Sequence, residues 1–187
     1  MKVKRTVFLT HIPETEQWLS NMAAQGQVLS KIEGNLFTFT PSAPGKLCYF
    51  LISPEKGGQN GGWVYYEALE NGACKVASTP PLLALQVSHG IREREADLWA
   101  YYYAHRNYFL LRRLVRNLIF SSIMGLFVAF ACIMKMAVEQ YDILLFCLGI
   151  CCLLPTGFYI YSLLHFLRSC KDVGQHVSWK RPRRPGY

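Results

Sequence analysis

Two apolar runs, Leu118 to Val138 and Ile143 to Leu164, constrain this chain more than any other feature. The first is broken by a single charge, Lys135, and the second contains none. Each is close to the roughly 20 residues an α-helix needs to cross a ~30 Å hydrocarbon core at ~1.5 Å per residue. The competing reading is a buried hairpin of a soluble all-α domain. A soluble helix shows a polar face every turn, however, and neither run has one. Glu139, Gln140, Tyr141 and Asp142 leave room only for a tight turn between the runs. The sequence therefore predicts an α-helical two-span transmembrane hairpin over 117–167, with spans at about 118–138 and 143–164.

The net charge of +8 is not spread evenly. Residues 1–100 carry nine Lys/Arg and nine acids, so the whole excess lies beyond them. Arg106, Arg112, Arg113 and Arg116 precede the first apolar run, and Arg168, Lys171, Lys180, Arg181, Arg183 and Arg184 follow the second. The intervening turn carries Glu139 and Asp142. Basic residues beside span ends stay in the cytoplasm, so the expected location is the cell membrane with both termini cytoplasmic. A basic chain also invites a nucleic-acid reading. Topology and attraction to anionic lipid, worth ~1 kcal/mol per residue near the surface, already account for these positions. The expected partner is the anionic inner leaflet, met by Arg112, Arg113, Arg116, Lys180, Arg181, Arg183 and Arg184, and not nucleic acid. A membrane-protein partner or a second copy of the chain is a further expectation, because small residues such as Gly125 and Gly149 let helices approach closely.

The start of the chain is basic, but its apolar part spans only Val7 to Leu9, short of the 7–15 residues of a signal peptide. The first hundred residues are thus expected in the cytosol. Seven cysteines, an odd number, with Cys132, Cys147, Cys151 and Cys152 inside the spans, fit a reducing compartment. Cys147 and Cys151 lie one helical turn apart and read as small packing residues.

Residues 1–87 read as a small cytosolic α+β domain, an antiparallel sheet with one helix. Lys2 to Leu9 suits a first strand. Pro13, Glu14 and Glu16 suit a helix start, since proline lacks only a donor that is unpaired there and acids complement the positive end of the dipole. Trp18, Leu19, Met22 and Ala23 form one apolar stripe, and Gly26 closes the helix near Gln25. Strands are expected at Val28 to Glu33, Leu36 to Thr40, Leu47 to Ile52, Trp63 to Leu69 and Cys74 to Ser78. Gly34-Asn35 and Asn71-Gly72 read as hairpin turns between neighbours.

The arrangement of Glu16, Trp18, Leu19, Met22, Ala23, Ala24 and Gly26, followed by Phe37-x-Phe39, Pro44-Gly45-Lys46, Leu47-Cys48-Tyr49-Phe50 and Gly62-Trp63-Val64-Tyr65, resembles the DUF2812 family. The resemblance implies an uncharacterised bacterial protein, of a kind found mostly in Firmicutes, often ending in two membrane helices. It implies no catalytic residue. The family usually places a second helix after the strand that ends near Ser53. Here Pro54 to Gly62 contains four glycines in nine residues, a composition that cannot hold a helix and reads as a hairpin tip.

Residues 88–116 contain Trp99, Tyr101, Tyr102, Tyr103, Tyr108 and Phe109 ahead of a basic cluster, and the sequence predicts an amphipathic juxtamembrane helix from residue 91. Its rings are expected at the headgroup level, with Arg side chains reaching phosphates, and the helix either continues into the first span as a stalk or bends to lie on the surface. Residues 168–187 read as a basic, disordered cytosolic tail.

The chemistry-bearing residues form no constellation in the sequence. His11, His89, His105, His165 and His176 are scattered, with no pair at the i, i+4 spacing of a helical metal site. Cys48 or Cys74 with His89 would make a thiol and base only if the fold brought them together, and the Cys48 pattern reads as core. Gly57 to Gly62 lacks the Gly-Lys-Ser/Thr ending of a phosphate loop. Lys135 lies near a span end, where its stem can snorkel. Pro155 should kink the second span. The expectation is a non-enzymatic sensing or interaction module with no catalytic, cofactor-binding or metal residues. The alternatives are an accessory subunit of a transporter or envelope complex and a membrane-tethered enzyme.

Overall fold

The computed structural model describes residues 1–52, 62–79, 82–137, 143–175 and 177–184. In chain order these form β1 (Lys2–Lys4), a 3-10 turn (Leu9–His11), α1 (Ile12–Ala24), β2 (Gln27–Glu33), β3 (Leu36–Pro41), β4 (Leu47–Ile52), α2 (Gly62–Glu70), β5 (Cys74–Thr79), β6 (Leu82–Ser88), α3 (His89–Arg94), α4 (Ala96–Ala137) and α5 (Ile143–Asp172). The expected loop at 54–61, the turn at 139–142 and the side chains of Lys135, Cys147, Cys151 and Cys152 lie outside the described residues.

The strands make two antiparallel sheets of three, in the orders β1-β3-β2 and β4-β6-β5, where the sequence suggested one sheet. The β2–β3 hairpin turns at Gly34-Asn35, with Gly34 at φ +57°, as its dipeptide predicts. Tyr49 stitches the sheets together by accepting the Leu29 N–H at 3.2 Å. β4 is apolar throughout and buried at every position from Cys48 to Ile52, because both of its faces are covered. Tyr49 and Leu51 belong to one cluster with Ile12, Leu19 and Ala23 of α1 and Phe37 and Phe39 of β3. Cys48, Phe50 and Ile52 point the other way, into a cluster with Val64, Ala68, Trp99, Tyr102 and Tyr103. Trp18, expected in the core, is only half-buried, edge-on to Phe37 and Phe39 with Arg5 over its ring.

α1 ends at Gly26, whose φ of +80° brings its Cα face against the chain at Ser42. A Cβ there would sit 2.8 Å from the Ser42 carbonyl oxygen. Gly26→Ala is therefore expected to cost at least ~1–2 kcal/mol from the left-handed backbone alone, read as a lowered midpoint of urea unfolding.

The strand expected at Trp63 to Leu69 is instead helix α2. Its aromatic residues favour strands, yet Val64 and Ala68 fall one turn apart and both bury. Asn71-Gly72 is not a hairpin turn but the end of this helix. Gly72 has φ +83°, Gly72 N–H donates to Leu69 and Ala73 N–H donates to Ala68, a Schellman closure. β1 covers only Lys2–Lys4 of the strand expected to reach Leu9, and β6, which was not anticipated, pairs with both β4 and β5.

The segment at 88–116 is helical, and from Ala96 the helix continues directly into the first apolar run. α4 is one unbroken helix of 42 residues, about 63 Å long. Its first turns are part of the domain core: Trp99, Tyr102, Tyr103, Arg106, Asn107, Leu110 and Leu111 are buried. Trp99, Tyr102 and Tyr103 are therefore turned toward the sheet, where β4 offers them Phe50 and a fully apolar face. α5 returns alongside α4, with Ser121 and Thr156 hydroxyls 2.7 Å apart and Phe166 and Cys170 completing the same core as Leu110 and Leu111. The domain unit thus extends well past residue 87. Pro155 lies inside α5. The described part of the tail is not free either: Arg184 pairs with Glu67 of α2.

Beyond Asn117 the character of α4 changes. Ile119, Phe120, Leu126, Phe127, Phe130 and Ile133 are each more than half exposed. The Ala96–Met134 helix is long and apolar enough to cross a membrane, with a mean hydropathy of 2.1 in its most apolar stretch. A small antiparallel-sheet domain joined to a long apolar helix is the architecture.

Candidate functional site

The domain face beside β4 combines a buried ion pair with an open groove. Glu16 projects from α1 and Arg106 from α4, and each side chain is 5% exposed. Arg106 Nη1 donates to Glu16 Oε1 and, at 3.0 Å, to the Leu51 carbonyl. The Leu51 N–H donates to the same Glu16 oxygen at 2.6 Å, and Gln175 Nε2 donates to Oε2 at 3.1 Å. Arg106 Nη2 also donates to Gln175 Oε1 at 3.0 Å and to Asn107 Oδ1 at 3.2 Å. Phe50 and Tyr103 lie against the guanidinium at 5.0 and 5.2 Å from their ring centroids. Burial pushes the Glu16 carboxyl above its ordinary range, and the Arg106 charge pulls it back. One cluster thus fastens α1, β4, α4 and the segment after α5 to one another.

The groove opens next to this cluster, with a volume of about 720 Å³. Its walls include Glu16, Lys46, Cys48, His89, Arg92 and Trp99. Arg92 Nη1 donates to Cys48 Sγ at 3.3 Å and its guanidinium covers the Tyr103 ring at 5.4 Å. His89 Nδ1 lies 3.2 Å from Glu93 Oε1, one turn along α3. The Trp99 indole N–H is buried and has no hydrogen-bond partner among the described residues. Lys46, His89 and Arg92 therefore line a cleft of ligand size beside the Cys48 thiol.

Of the residues singled out in the sequence, Cys48 and His89 share this groove, while Cys74 is exposed on β5 and does not line it. His105 is buried on α4 among Tyr101 and Phe109. His11 and His165, 154 positions apart, meet ring to ring at 4.3 Å. Burial and the neighbouring His165 lower the His11 pKa. His176 lies outside the described residues. Arg112 and Arg116 are exposed on α4, Arg113 is half-buried, and Arg106, counted with them from sequence, is the buried partner of Glu16. Arg106 betrayed itself only by its spacing from Trp99, Tyr102, Tyr103 and Leu110, one stripe of a helix.

No protein-family model matches the chain, and no curated protein or solved structure shows significant similarity to it.

Proposed function

We propose that the chain is a membrane-anchored interaction module, non-enzymatic, whose cytosolic groove engages a partner or ligand and is joined mechanically to two spans. The observation that carries this reading is the double role of α4, core helix of the domain at one end and exposed apolar helix at the other. The second span is the apolar run of α5, ending at Leu164, and the basic residues flanking both runs keep the two termini cytoplasmic. Arg112, Arg113, Arg116 and the tail residues Lys180, Arg181 and Arg183 meet anionic headgroups. The DUF2812 resemblance is in line with the same architecture, although α2 occupies Gly62–Glu70, where the resemblance implied a strand.

Topology is tested by a cysteine placed at Gln140 in a background lacking accessible thiols. It is expected to react with an impermeant reagent in intact cells, while reporters fused at either terminus read as cytoplasmic. Labelling only after permeabilisation would reverse the orientation. The module reading is tested by photocrosslinking in native membranes from Gln17 or Ala96 in the groove and from Phe127 on the apolar part of α4. Adducts to a defined partner from the groove positions are the expected result. Adducts from Phe127 alone would favour an accessory subunit of a membrane complex.

A second reading rests on Cys48 and His89 sharing one cleft with Arg92 on the sulfur: a membrane-tethered thiol enzyme. It requires that Cys48→Ser abolish a turnover that the wild-type protein supports.

A further inference from the structure

Where the domain meets the membrane helices, a second cluster stands apart from the groove. His11 precedes the first residue of α1, Glu14 lies in its first turn, and His165 projects from α5 directly after the apolar run that ends at Leu164. One ligand atom from each residue lies within 4.8 Å of the other two. His165 Nε2 and Glu14 Oε1 are 3.8 Å apart, too far for a hydrogen bond and near the separation of two ligands on one ion. All three side chains are partly buried, so the site is walled yet reachable. His165 Nδ1 is buried with no hydrogen-bond partner among the described residues.

We propose that His11, Glu14 and His165 bind a late first-row divalent cation, with Zn²⁺ the best match. Ligand bonds of ~2.0–2.2 Å in a tetrahedral site set neighbouring ligand atoms about 3.4 Å apart. Closing from 4.8 Å to that spacing asks for side-chain rotation of about an ångström, not movement of helices. Two imidazoles and one carboxylate suit zinc and its neighbours, whereas Mg²⁺ and Ca²⁺ prefer all-oxygen shells. Three protein ligands leave a fourth position for water or an incoming group. The ion ties the start of α1 to α5, clamping the domain to the point where the second helix leaves the apolar run. The alternative is a plain aromatic cluster without an ion, in which Phe8, His11 and His165 pack edge to face and Tyr161 lies tilted against His165.

The full-length protein, purified in mild detergent without a polyhistidine tag and stripped with a chelator, is titrated with Zn²⁺ by equilibrium dialysis and with Co²⁺ by visible absorption. One ion per chain with a tetrahedral Co²⁺ spectrum is expected, together with a Zn²⁺-dependent rise in Tm. His11→Phe and His165→Phe keep a ring in the stack and should each weaken binding more than ~100-fold, beyond what loss of an outer-shell partner costs. Glu14→Gln, at a partly exposed position, should weaken binding without unfolding the domain by circular dichroism, so the test stands even if a ring variant misfolds. His89→Ala, in the groove, should bind as wild type. Failure of the folded wild-type chain to bind, or wild-type affinity in Glu14→Gln and a folded ring variant, would overturn the site and leave the groove reading untouched.

Discussion

Arg106→Ala is expected to unfold the sheet domain. The substitution leaves the Glu16 carboxylate buried with its charge partner gone, a change that costs about 3–5 kcal/mol when one member of a buried pair is removed. The Arg106 guanidinium also fills space against Phe50 and Tyr103, so packing is lost along with charge. Against a total stability of about 5–15 kcal/mol for a domain, that is a large share. Denaturant titration of the detergent-solubilised protein, followed by near-UV circular dichroism, measures it. The matched apolar pair Glu16→Leu with Arg106→Met should recover much of the loss, because it removes both desolvation costs together. Equal destabilisation by the double and single variants would show that the hydrogen bonds to Leu51 and Gln175, and not the unpaired charge, set the cost.

A fragment of residues 1–87 is expected not to fold. It retains both sheets and loses the partner of one whole face of β4. Trp99, Tyr102 and Tyr103, all buried, would be missing, and with them Leu110, Leu111 and Phe166 from the other cluster. At about 2–5 kcal/mol for each large apolar side chain removed from a core, the six together amount to roughly 12–30 kcal/mol, against a total stability of about 5–15 kcal/mol. The fragment should lack near-UV circular dichroism signals and exchange its β4 amides without protection. A folded, protected fragment would mean that α4 docks on a domain already complete.

The same arithmetic explains which parts of the fold the sequence discloses. α1, the β2–β3 hairpin and β4 are legible because their signals are local: a proline at a helix start, Gly34-Asn35 at a turn, six apolar residues in a row. α2 is not, because Trp63, Tyr65 and Tyr66 carry strand propensity, and Asn71-Gly72 serves a helix end as well as a hairpin. The aromatic-basic stretch before the first apolar run misleads for a related reason. Rings and arginines suit both a headgroup layer and a core, and only the surface presented by β4 decides between them. The groove and the His11–Glu14–His165 cluster depend on elements distant in sequence, so no spacing rule finds them.

The bond between Glu16 and Gln175 spans 159 positions of the chain. At about 5–20 residues per second, roughly 8–30 seconds of synthesis separate the two partners. Early in that interval the apolar faces of β3 and β4 are made, while α4 and α5, which cover them, are still to come. Synthesis of α4 and α5 thus precedes closure of the domain that comes first in the sequence. A chain in which α4 and α5 fail to dock should leave its sheets uncovered, so folding of the sheet domain is in effect a check on the long apolar helix.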